Sequence, residues 1–348
     1  MAEHLYDVSA LLYIGNSVER PGDDFVSEQL HGLPVRGIRY TLEKLMVYQT
    51  SKQHEVFAIM DSPTNKRELY ADYKGQRDFN KEIFVQRELL RYLLPHIGIT
   101  MISQQQFEAD DLFYCYILKQ YLGNNIPATG ISLHCDDRDI TGCIMTPQIG
   151  RIGLTSKTPA LFANNYSAII SKGEYVHYNS ILPYTLFFGK ASNNLSRIKS
   201  NDPKHAYAHF LNYAVPKFKP ELLSLEQVFT KWLGYAKENN LFSDAFYTEV
   251  EDRIPVVFPR LNWDPDVAIV KGKLNKDIAV DFLTLLDEKP ILRMLGLTPK
   301  LPEQVNPNLL DKWISMYRSG VTMVDNYLTA DTSFFFEGDA TSGNIGGF

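Results

Sequence analysis

The sequence predicts an α/β fold in which a twisted, mainly parallel sheet is flanked by helices. Short apolar segments alternate with longer helical patterns through about the first 140 residues, as in a chain of strand–helix–strand units. Several of these apolar segments end in acidic residues, at the sheet edge where α/β proteins hold ligands. At 348 residues the chain exceeds a single core, so we expect one large domain with a helical extension, or two domains.

Composition excludes several classes of protein. Apolar residues make up 45% and charged residues 22%, which is ordinary for a globular protein. The net charge of -6 excludes a generally basic nucleic-acid coat, so phosphate binding would need local basic patches or bound metal. The three cysteines form no CxxC pair, and we find neither a signal peptide nor an apolar run of about 18 residues. A cytoplasmic location is therefore expected.

The first two predicted strands both end in aspartate. His4–Val8 contains Asp7, and Glu55–Asp61 is apolar up to Asp61, with a predicted crossover helix over residues 35–50 between them. One such aspartate is usually explained by turn chemistry. Two in the same setting favour a ligand site.

Basic and aromatic residues interleave after Asp61. They are Lys66, Arg67, Tyr70, Tyr73, Lys74, Arg77, Lys81, Arg87 and Arg91. Acids lie among them, so a solvated amphipathic helix is an equal alternative to a mobile segment that grips a phosphate backbone and stacks on unpaired bases. A helix is predicted over residues 79–95, up to Pro95.

Two more acidic clusters follow predicted strands. A third strand, Ile97–Ile102, leads into a helix that begins near Glu108, Asp110 and Asp111, three carboxylates that can converge on one point. The alternative is that acids suit a helix N-terminus because of its dipole. A fourth strand, Gly130–Cys135, runs into Asp136, Asp137 and Asp139. Acidic clusters at one sheet edge repel each other unless cations neutralise them, and carboxylates without His or Cys suit Mg²⁺ or Mn²⁺.

Taken in order, these motifs resemble the 5′-nuclease family: flap endonucleases, phage RNase H and exonuclease proteins, and the 5′-nuclease domain of bacterial family A DNA polymerases. The resemblance covers about residues 4 to 215. It is carried by Leu5-Tyr6-Asp7, the series Asp61…Arg67…Tyr73-Lys74…Arg77, Glu108-Ala109-Asp110-Asp111 and Asp137-Arg138-Asp139.

The resemblance implies a PIN-like core over residues 1–188 with a helical arch at about 62–96, and metal-dependent phosphodiester cleavage. It implies that Asp7, Asp61, Glu108, Asp110 and Asp111 surround a catalytic metal, and that Asp137 and Asp139 face a second. Lys74 and Arg77 would contact the scissile phosphate, with Arg67 and Tyr73 among the residues that bind nucleic acid. Of the acids, Asp110 and Asp111 are the two we assign a catalytic role.

The chain departs from the family at residues 189–195. The family reads Gly-Asp-x-x-Asp-Asn-Leu there, and this chain reads Gly-Lys-Ala-Ser-Asn-Asn-Leu. Lys190 and Asn193 therefore replace two second-metal carboxylates. A lysine ammonium could take the place of the cation and pair with Asp137 or Asp139, but it cannot activate water as Mg²⁺ does.

The following segment lacks the glycines of the family's helix-hairpin-helix. Residues 190–219 offer basic side chains instead, and Arg197, Lys199 and Lys204 are candidate phosphate contacts, with a solvated helical face as the alternative. We predict a helical region over residues 189–300, a C-terminal helix over 301–330 and a flexible tail over 331–348. An aromatic triplet in that tail favours docking to a replication protein such as a sliding clamp or single-strand binding protein.

Two hypotheses remain. The first is a divalent-metal-dependent 5′-3′ exonuclease or flap endonuclease, with RNase H-like primer removal in replication or repair, acting on DNA or an RNA–DNA hybrid with a free 5′ end. It would have one well-formed metal site and a doubtful second. The second is a lapsed family member that binds nucleic acid or serves as a scaffold. A phosphatase-like hydrolase fits the sheet but not the arch. A stand-alone nuclease would suit a phage, acting in the host cytoplasm.

Overall fold

The structure is a computed structural model with two compact units. It describes residues 2–17, 29–30, 33–47, 49, 54–62, 64, 66–71, 73–74, 81–144, 146–155, 160–162, 167–170, 174–177, 181–214, 225–306, 308 and 315. The first unit comprises Met1–Leu5, Asp61–Asp78 and Ser103–Ala268. The second comprises Tyr6–Met60, Phe79–Ile102 and Ile269–Phe348.

Strands and helices alternate through the first half of the chain, and helices dominate the second. Within the described residues the strands are β1 (Glu3–Asp7), β2 (Gln29–Leu30), β3 (Leu33–Pro34), β4 (Glu55–Ile59), β5 (Thr100–Ile102), β6 (Ile131–His134), β7 (Ile149–Ile152), β8 (Leu161–Phe162), β9 (Ser167–Ile170), β10 (Glu174–His177) and β11 (Ile269–Val270). The helices are α1 (Val8–Ser17), α2 (Arg36–Met46), α3 (Lys66–Leu69), α4 (Lys81–His96), α5 (Ala109–Leu122), α6 (Ile181–Phe188), α7 (Pro203–Ala214), α8 (Leu225–Glu238), α9 (Asp244–Val257), α10 (Pro265–Ala268), α11 (Lys276–Leu285) and α12 (Lys289–Met294).

The second unit contains a parallel strand pair extended by one antiparallel strand. β4 pairs with β5 in parallel, from Phe57 opposite Thr100 to Ile59 opposite Ile102. β11 then pairs with β5 in the antiparallel sense. The predicted crossover helix is present as α2. Its apolar residues at helical spacing (Ile38, Leu42, Leu45 and Met46) are all buried.

The third predicted strand is shorter than expected. We predicted Ile97–Ile102, but β5 begins at Thr100, because α4 continues through Pro95 to His96. The amide of Ile97 donates to the carbonyl of Leu93, and Gly98 has a positive φ of 89°, so residues 97–99 form the turn that ends the helix.

The first unit also contains a parallel pair. β6 runs parallel to β7, from Ile131 opposite Ile149 to His134 opposite Ile152, and β8 pairs antiparallel with β7. Beside β6, His4 Nδ1 lies 2.8 Å from His134 Nε2 in a buried contact. With parallel pairs in both units and helices around them, the predicted α/β class is confirmed.

The helices of the first unit pack around an aromatic core. Phe187, Phe229, Trp232 and Phe246 are fully buried, and the ring centroids of neighbouring pairs lie 5.1 to 6.2 Å apart. Trp232 is in contact with the other three rings or their neighbours and is fully buried.

Helices fill most of the described part of the predicted region 189–300. They are α7 to α12, and β11 adds a short strand. Most of the predicted C-terminal helix (301–330) and the whole tail (331–348) lie outside the described residues. Across the described ranges, no helix is long and apolar enough to cross a membrane.

Candidate active site

Asp7, the last residue of β1, and Asp61, two residues beyond β4, both accept helix-capping hydrogen bonds. In the second unit, Asp7 Oδ1 accepts from the amide of Ala10 at 3.0 Å, in the first turn of α1. In the first unit, Asp61 Oδ1 accepts from the amide of Ala109 at 2.7 Å, at the start of α5. The bond of Asp7 is the local turn chemistry that we considered as the alternative, whereas the bond of Asp61 joins residues 48 apart in the chain.

Asp111 is the most deeply held acid of the site. It is fully buried in the first turn of α5, and its Oδ2 accepts from the amide of Glu108 at 3.0 Å. Its Oδ1 accepts from Lys66 Nζ at 2.9 Å and from the amide of Arg260 at 3.0 Å. All three donors come from the same unit, so this carboxylate fixes the N-terminus of α5 to two distant segments.

Glu108 receives three donors on its carboxylate. Lys66 Nζ and the hydroxyl of Tyr73 donate to Oε2 at 3.0 and 2.9 Å, and Lys74 Nζ donates to Oε1 at 2.5 Å. Burial opposes the charge of Glu108, but Lys74 and Lys66 outweigh it and hold its pKa well below the usual range. Glu108 is therefore ionised at neutral pH.

Lys66 is a site residue that the sequence interpretation missed. Its side chain is only 3% exposed, and it bridges Glu108 and Asp111. Burial disfavours its charge, but the two carboxylates reverse the effect and raise its pKa. In the sequence, no feature separates Lys66 from the other bases of residues 62–91, since its partners lie more than 40 residues away.

Tyr73 and Lys74 are fixed between the acidic helix and the 190–195 turn. Tyr73 is buried against Leu195 and Val256, and the Lys74 amide donates to the carbonyl of Asn193 at 2.9 Å. Lys74 has a positive φ of 52°, which directs its ammonium back toward Glu108. Of Arg67 only the backbone is described, and Arg77 lies outside the described residues.

The second acidic cluster is paired with Lys190. The Lys190 ammonium lies 2.6 and 2.9 Å from the two oxygens of Asp137 and 2.7 Å from Asp139 Oδ2. Thr185 on α6 donates to Asp139 Oδ1 at 3.2 Å. Burial disfavours the charge of Lys190, but its acidic neighbours raise its pKa, so it remains a cation.

A tight backbone turn positions Lys190. Lys190 and Leu195 exchange two backbone hydrogen bonds, of 2.9 and 3.1 Å. Gly189 has a φ of +76°, and a Cβ there would lie 2.2 Å from the carbonyl oxygen of Leu195. The glycine that this chain shares with the family pattern therefore serves the turn, while the side chain after it has changed.

Asp110 lies between the two lysine-held clusters. Among the described residues none donates a hydrogen bond to its carboxylate, and it borders a small cavity that Asp139, Asn193 and Tyr73 also line. Burial raises its pKa, and the charge of Asp137 adds to that effect. A further cation beside Asp110 would offset both of these effects.

The described residues do not fit a two-metal centre. Among them, no group of three or more His, Cys, Asp or Glu side chains is arranged to hold a metal ion. Lys66 occupies oxygens of Glu108 and Asp111, and Lys190 occupies those of Asp137 and Asp139. Two ammonium groups stand where the resemblance implies divalent ions.

The segment that replaces the family's glycine-rich hairpin is held by a carboxylate. The amides of Lys199 and Ser200 each donate to Glu249 Oε2 at 3.2 Å, and the Ser200 hydroxyl donates to it at 2.7 Å. The buried Arg253 holds the other oxygen of Glu249 at 2.7 Å. The side chains of Lys199 and of the two other candidate phosphate contacts, Arg197 and Lys204, are exposed.

Comparison with known proteins identifies proteins that this chain resembles. The family model described as "5′-3′ exonuclease, N-terminal resolvase-like domain" matches residues 17–166. A 5′-3′ exonuclease of Mycoplasma pneumoniae is 28% identical over 282 residues, which are 77% of this chain and 86% of the relative. DNA polymerase I of Treponema pallidum is 27% identical over 207 residues, 58% of this chain but only 20% of the polymerase.

Among solved structures, the phage T5 D15 protein co-crystallised with metal ions is similar with a TM-score of 0.44 and 13% identity. The match covers 84% of this chain and 99% of the T5 protein. Over residues 17–166 the chain therefore matches a 5′-3′ exonuclease domain, in agreement with the resemblance seen in the sequence.

Proposed function

We propose that this protein acts on DNA or an RNA–DNA hybrid with a free 5′ end or a branch, as a 5′-3′ exonuclease or flap endonuclease of replication or repair. The observation that carries the proposal is the meeting of Lys74 with the acidic start of α5, next to the Asp137–Asp139 cluster. A scissile phosphate bound there would meet a lysine ammonium that can stabilise developing negative charge.

The proposal also includes a divalent metal ion. We propose Mg²⁺ or Mn²⁺, because the candidate ligands Asp7, Asp61, Glu108, Asp110 and Asp111 are all carboxylates. Asp110 supports this, since no described residue donates a hydrogen bond to it. An ion that bound Glu108 or Asp111 would have to compete with Lys66. We therefore propose at most one ion and assign it no step.

The nucleic-acid contacts proposed are basic and aromatic side chains. Lys74 and Tyr73 border the acidic site, and Arg67 and Arg77 belong to the same stretch of sequence. The exposed Arg197, Lys199 and Lys204 form a second candidate surface for the phosphates of a duplex. The proposal predicts that binding weakens steeply as salt concentration rises.

A second candidate function is recognition of branched or 5′-ended nucleic acid without cleavage. The observation that favours it is the pairing of both carboxylate clusters with lysines, which leaves little free ligand for metal. An ammonium group cannot deliver a metal-bound hydroxide to phosphorus. The two candidates share the nucleic-acid surface and differ in turnover.

Partners other than nucleic acid depend on residues outside the described part of the chain. We propose that the tail over residues 331–348 docks to a replication protein such as a sliding clamp or a single-strand binding protein. Deleting this tail should then weaken binding to that partner. Unchanged binding to every such protein would remove the proposal.

The deciding experiment compares the wild type with Asp110→Asn on 5′-labelled flap, 5′-overhang and RNA-primed duplexes in Mg²⁺ and in Mn²⁺. Asn keeps the shape of Asp110 and breaks no hydrogen bond to a described residue, whereas replacing Asp111 would leave Lys66 buried with one partner fewer. Cleavage that the variant loses would establish the nuclease. Salt-sensitive binding without cleavage would establish the second candidate, and absence of both would refute the proposal.

A further inference from the structure

The charge balance of the acidic site differs from that of a site built to receive two divalent ions. Five carboxylates belong to this site in the first unit: Glu108, Asp110, Asp111, Asp137 and Asp139. Three lysine ammoniums, those of Lys66, Lys74 and Lys190, lie among them. With every group ionised, these eight groups sum to a formal charge of −2. Aspartates at positions 190 and 193, as in the family pattern, would make it −5.

The Lys190 side chain is a buried part of the cluster that it forms with Asp137 and Asp139. Its ammonium contacts three carboxylate oxygens within 2.9 Å, and its side chain is only 11% exposed. The turn around Gly189 fixes the backbone from which it projects. A cation attached to the chain cannot dissociate, so it neutralises Asp137 and Asp139 whatever the divalent-ion concentration.

We propose that the Lys190 ammonium is a built-in replacement for a divalent cation at Asp137 and Asp139, so that the protein binds 5′-ended nucleic acid without a divalent ion. A phosphate that approaches bare carboxylates is repelled, and in a metal-dependent site the ions remove that repulsion. In this protein the Lys190 ammonium removes that repulsion. This inference rests on the proposed nucleic-acid binding and concerns its cation requirement.

The test measures binding of a fluorescent 5′-flap junction by anisotropy, in excess EDTA and in Mg²⁺ at matched ionic strength. The wild type should bind in EDTA within about threefold of its affinity in Mg²⁺, since Mg²⁺ mainly competes as a counterion. The double variant Lys190→Asp with Asn193→Asp should lose at least about tenfold in EDTA, roughly 1.4 kcal/mol, and regain most of it in Mg²⁺.

Lys231→Ala is the matched control. Lys231 is an exposed lysine on α8, so this variant removes one positive charge of the same unit without touching the acidic site. Its affinity should change little, and to the same extent in EDTA and in Mg²⁺. Lys190→Gln isolates the ammonium: it should weaken binding in EDTA more than in Mg²⁺.

A second readout does not involve nucleic acid. Titration with Mn²⁺ followed by electron paramagnetic resonance should show the double variant binding one ion more than the wild type. A variant that merely misfolded would lose affinity in both buffers and would gain no Mn²⁺ site.

The outcomes separate this inference from the proposed function. A wild type that binds the junction only when Mg²⁺ is present overturns the inference and leaves the proposed function standing. A wild type that binds no 5′-ended nucleic acid under either condition overturns both. Equal EDTA and Mg²⁺ affinities for the double variant would also overturn the inference, because position 190 would then not set the cation requirement.

Discussion

Replacing Lys66 with Met should destabilise the first unit strongly, although the change is nearly isosteric and more apolar. Each of its two contacts, at about 3 Å and an effective dielectric constant of about 20, is worth roughly 5 kcal/mol before desolvation. Removing the ammonium also removes its own desolvation cost, but it leaves Glu108 and Asp111 buried. Breaking a buried pair in this way costs about 3–5 kcal/mol.

The lower end of that range applies, because both carboxylates keep other donors. Glu108 retains Tyr73 and Lys74, and Asp111 retains the amides of Glu108 and Arg260. We therefore expect Lys66→Met to lower the free energy of unfolding by about 3 kcal/mol. Adding Asp111→Asn removes one of the orphaned charges, so the double variant should be less unstable than the sum of the single variants by about 1–3 kcal/mol.

The assay is urea unfolding followed by tryptophan fluorescence, since Trp232 lies in the core of the first unit, and by circular dichroism. Lys231→Met on the exposed face of α8 is the control and should change stability by no more than about 0.5 kcal/mol. A loss below about 1 kcal/mol for Lys66→Met, with an unchanged denaturant slope, would refute the assignment of Lys66 as the ion that neutralises this cluster.

Three further predictions concern other contacts. Burial, with His4 as neighbour, lowers the pKa of His134 to about 3. Because a histidine in the unfolded chain titrates near 6.5, the wild type should lose stability as the pH falls below about 6.5. The variant His134→Gln should lose much less stability in the same pH series. Glu249→Ala should lower the free energy of unfolding by about 1–2 kcal/mol at neutral pH and speed tryptic cleavage after Lys199, and unchanged proteolysis would contradict the role of Glu249. Burial opposes the charge of Glu249, but the Ser200 hydroxyl and the other donors outweigh it and lower the pKa of Glu249. The loss of stability should therefore persist above about pH 5 and become smaller in more acidic buffer. Gly189→Ala should destabilise the protein by about 1–3 kcal/mol in thermal unfolding, because the added Cβ meets a carbonyl oxygen at a positive φ, and a neutral effect would contradict the described turn.

Local patterns in the sequence predicted the elements well. The spacing of Ile38, Leu42 and Leu45 determines which face of α2 is buried, and that face needs no knowledge of distant residues. The start of α5 was predicted equally well, because acidic residues precede the long apolar run that begins at Leu112. The start of β5 was not predicted, because Pro95, a residue type that usually ends a helix, lies inside α4.

The site was only partly predictable, for a physical reason. Acids at strand and helix ends are visible in sequence, but the choice of a lysine as their partner depends on pairs far apart in the chain. Lys66 binds Asp111, which lies 45 residues further along the chain, and the amide of Arg260 donates to Asp111 across 149 residues. Lys190 can be recognised in the sequence because it breaks the family pattern at residues 189–195. Lys66 breaks no such pattern, so the sequence gives no sign of its role.

The bond from Arg260 to Asp111 has a consequence for how the protein is made. Residues in the last segment of each unit complete it: the amide of Arg260 binds Asp111 on α5 in the first unit, and β11 pairs with β5 in the second. The Cys115 thiol also donates to the carbonyl of Arg260, at 3.1 Å. A ribosome must therefore synthesise the chain as far as Arg260 before the first unit can close and as far as Val270 before the second can, so closure of both units comes late in synthesis.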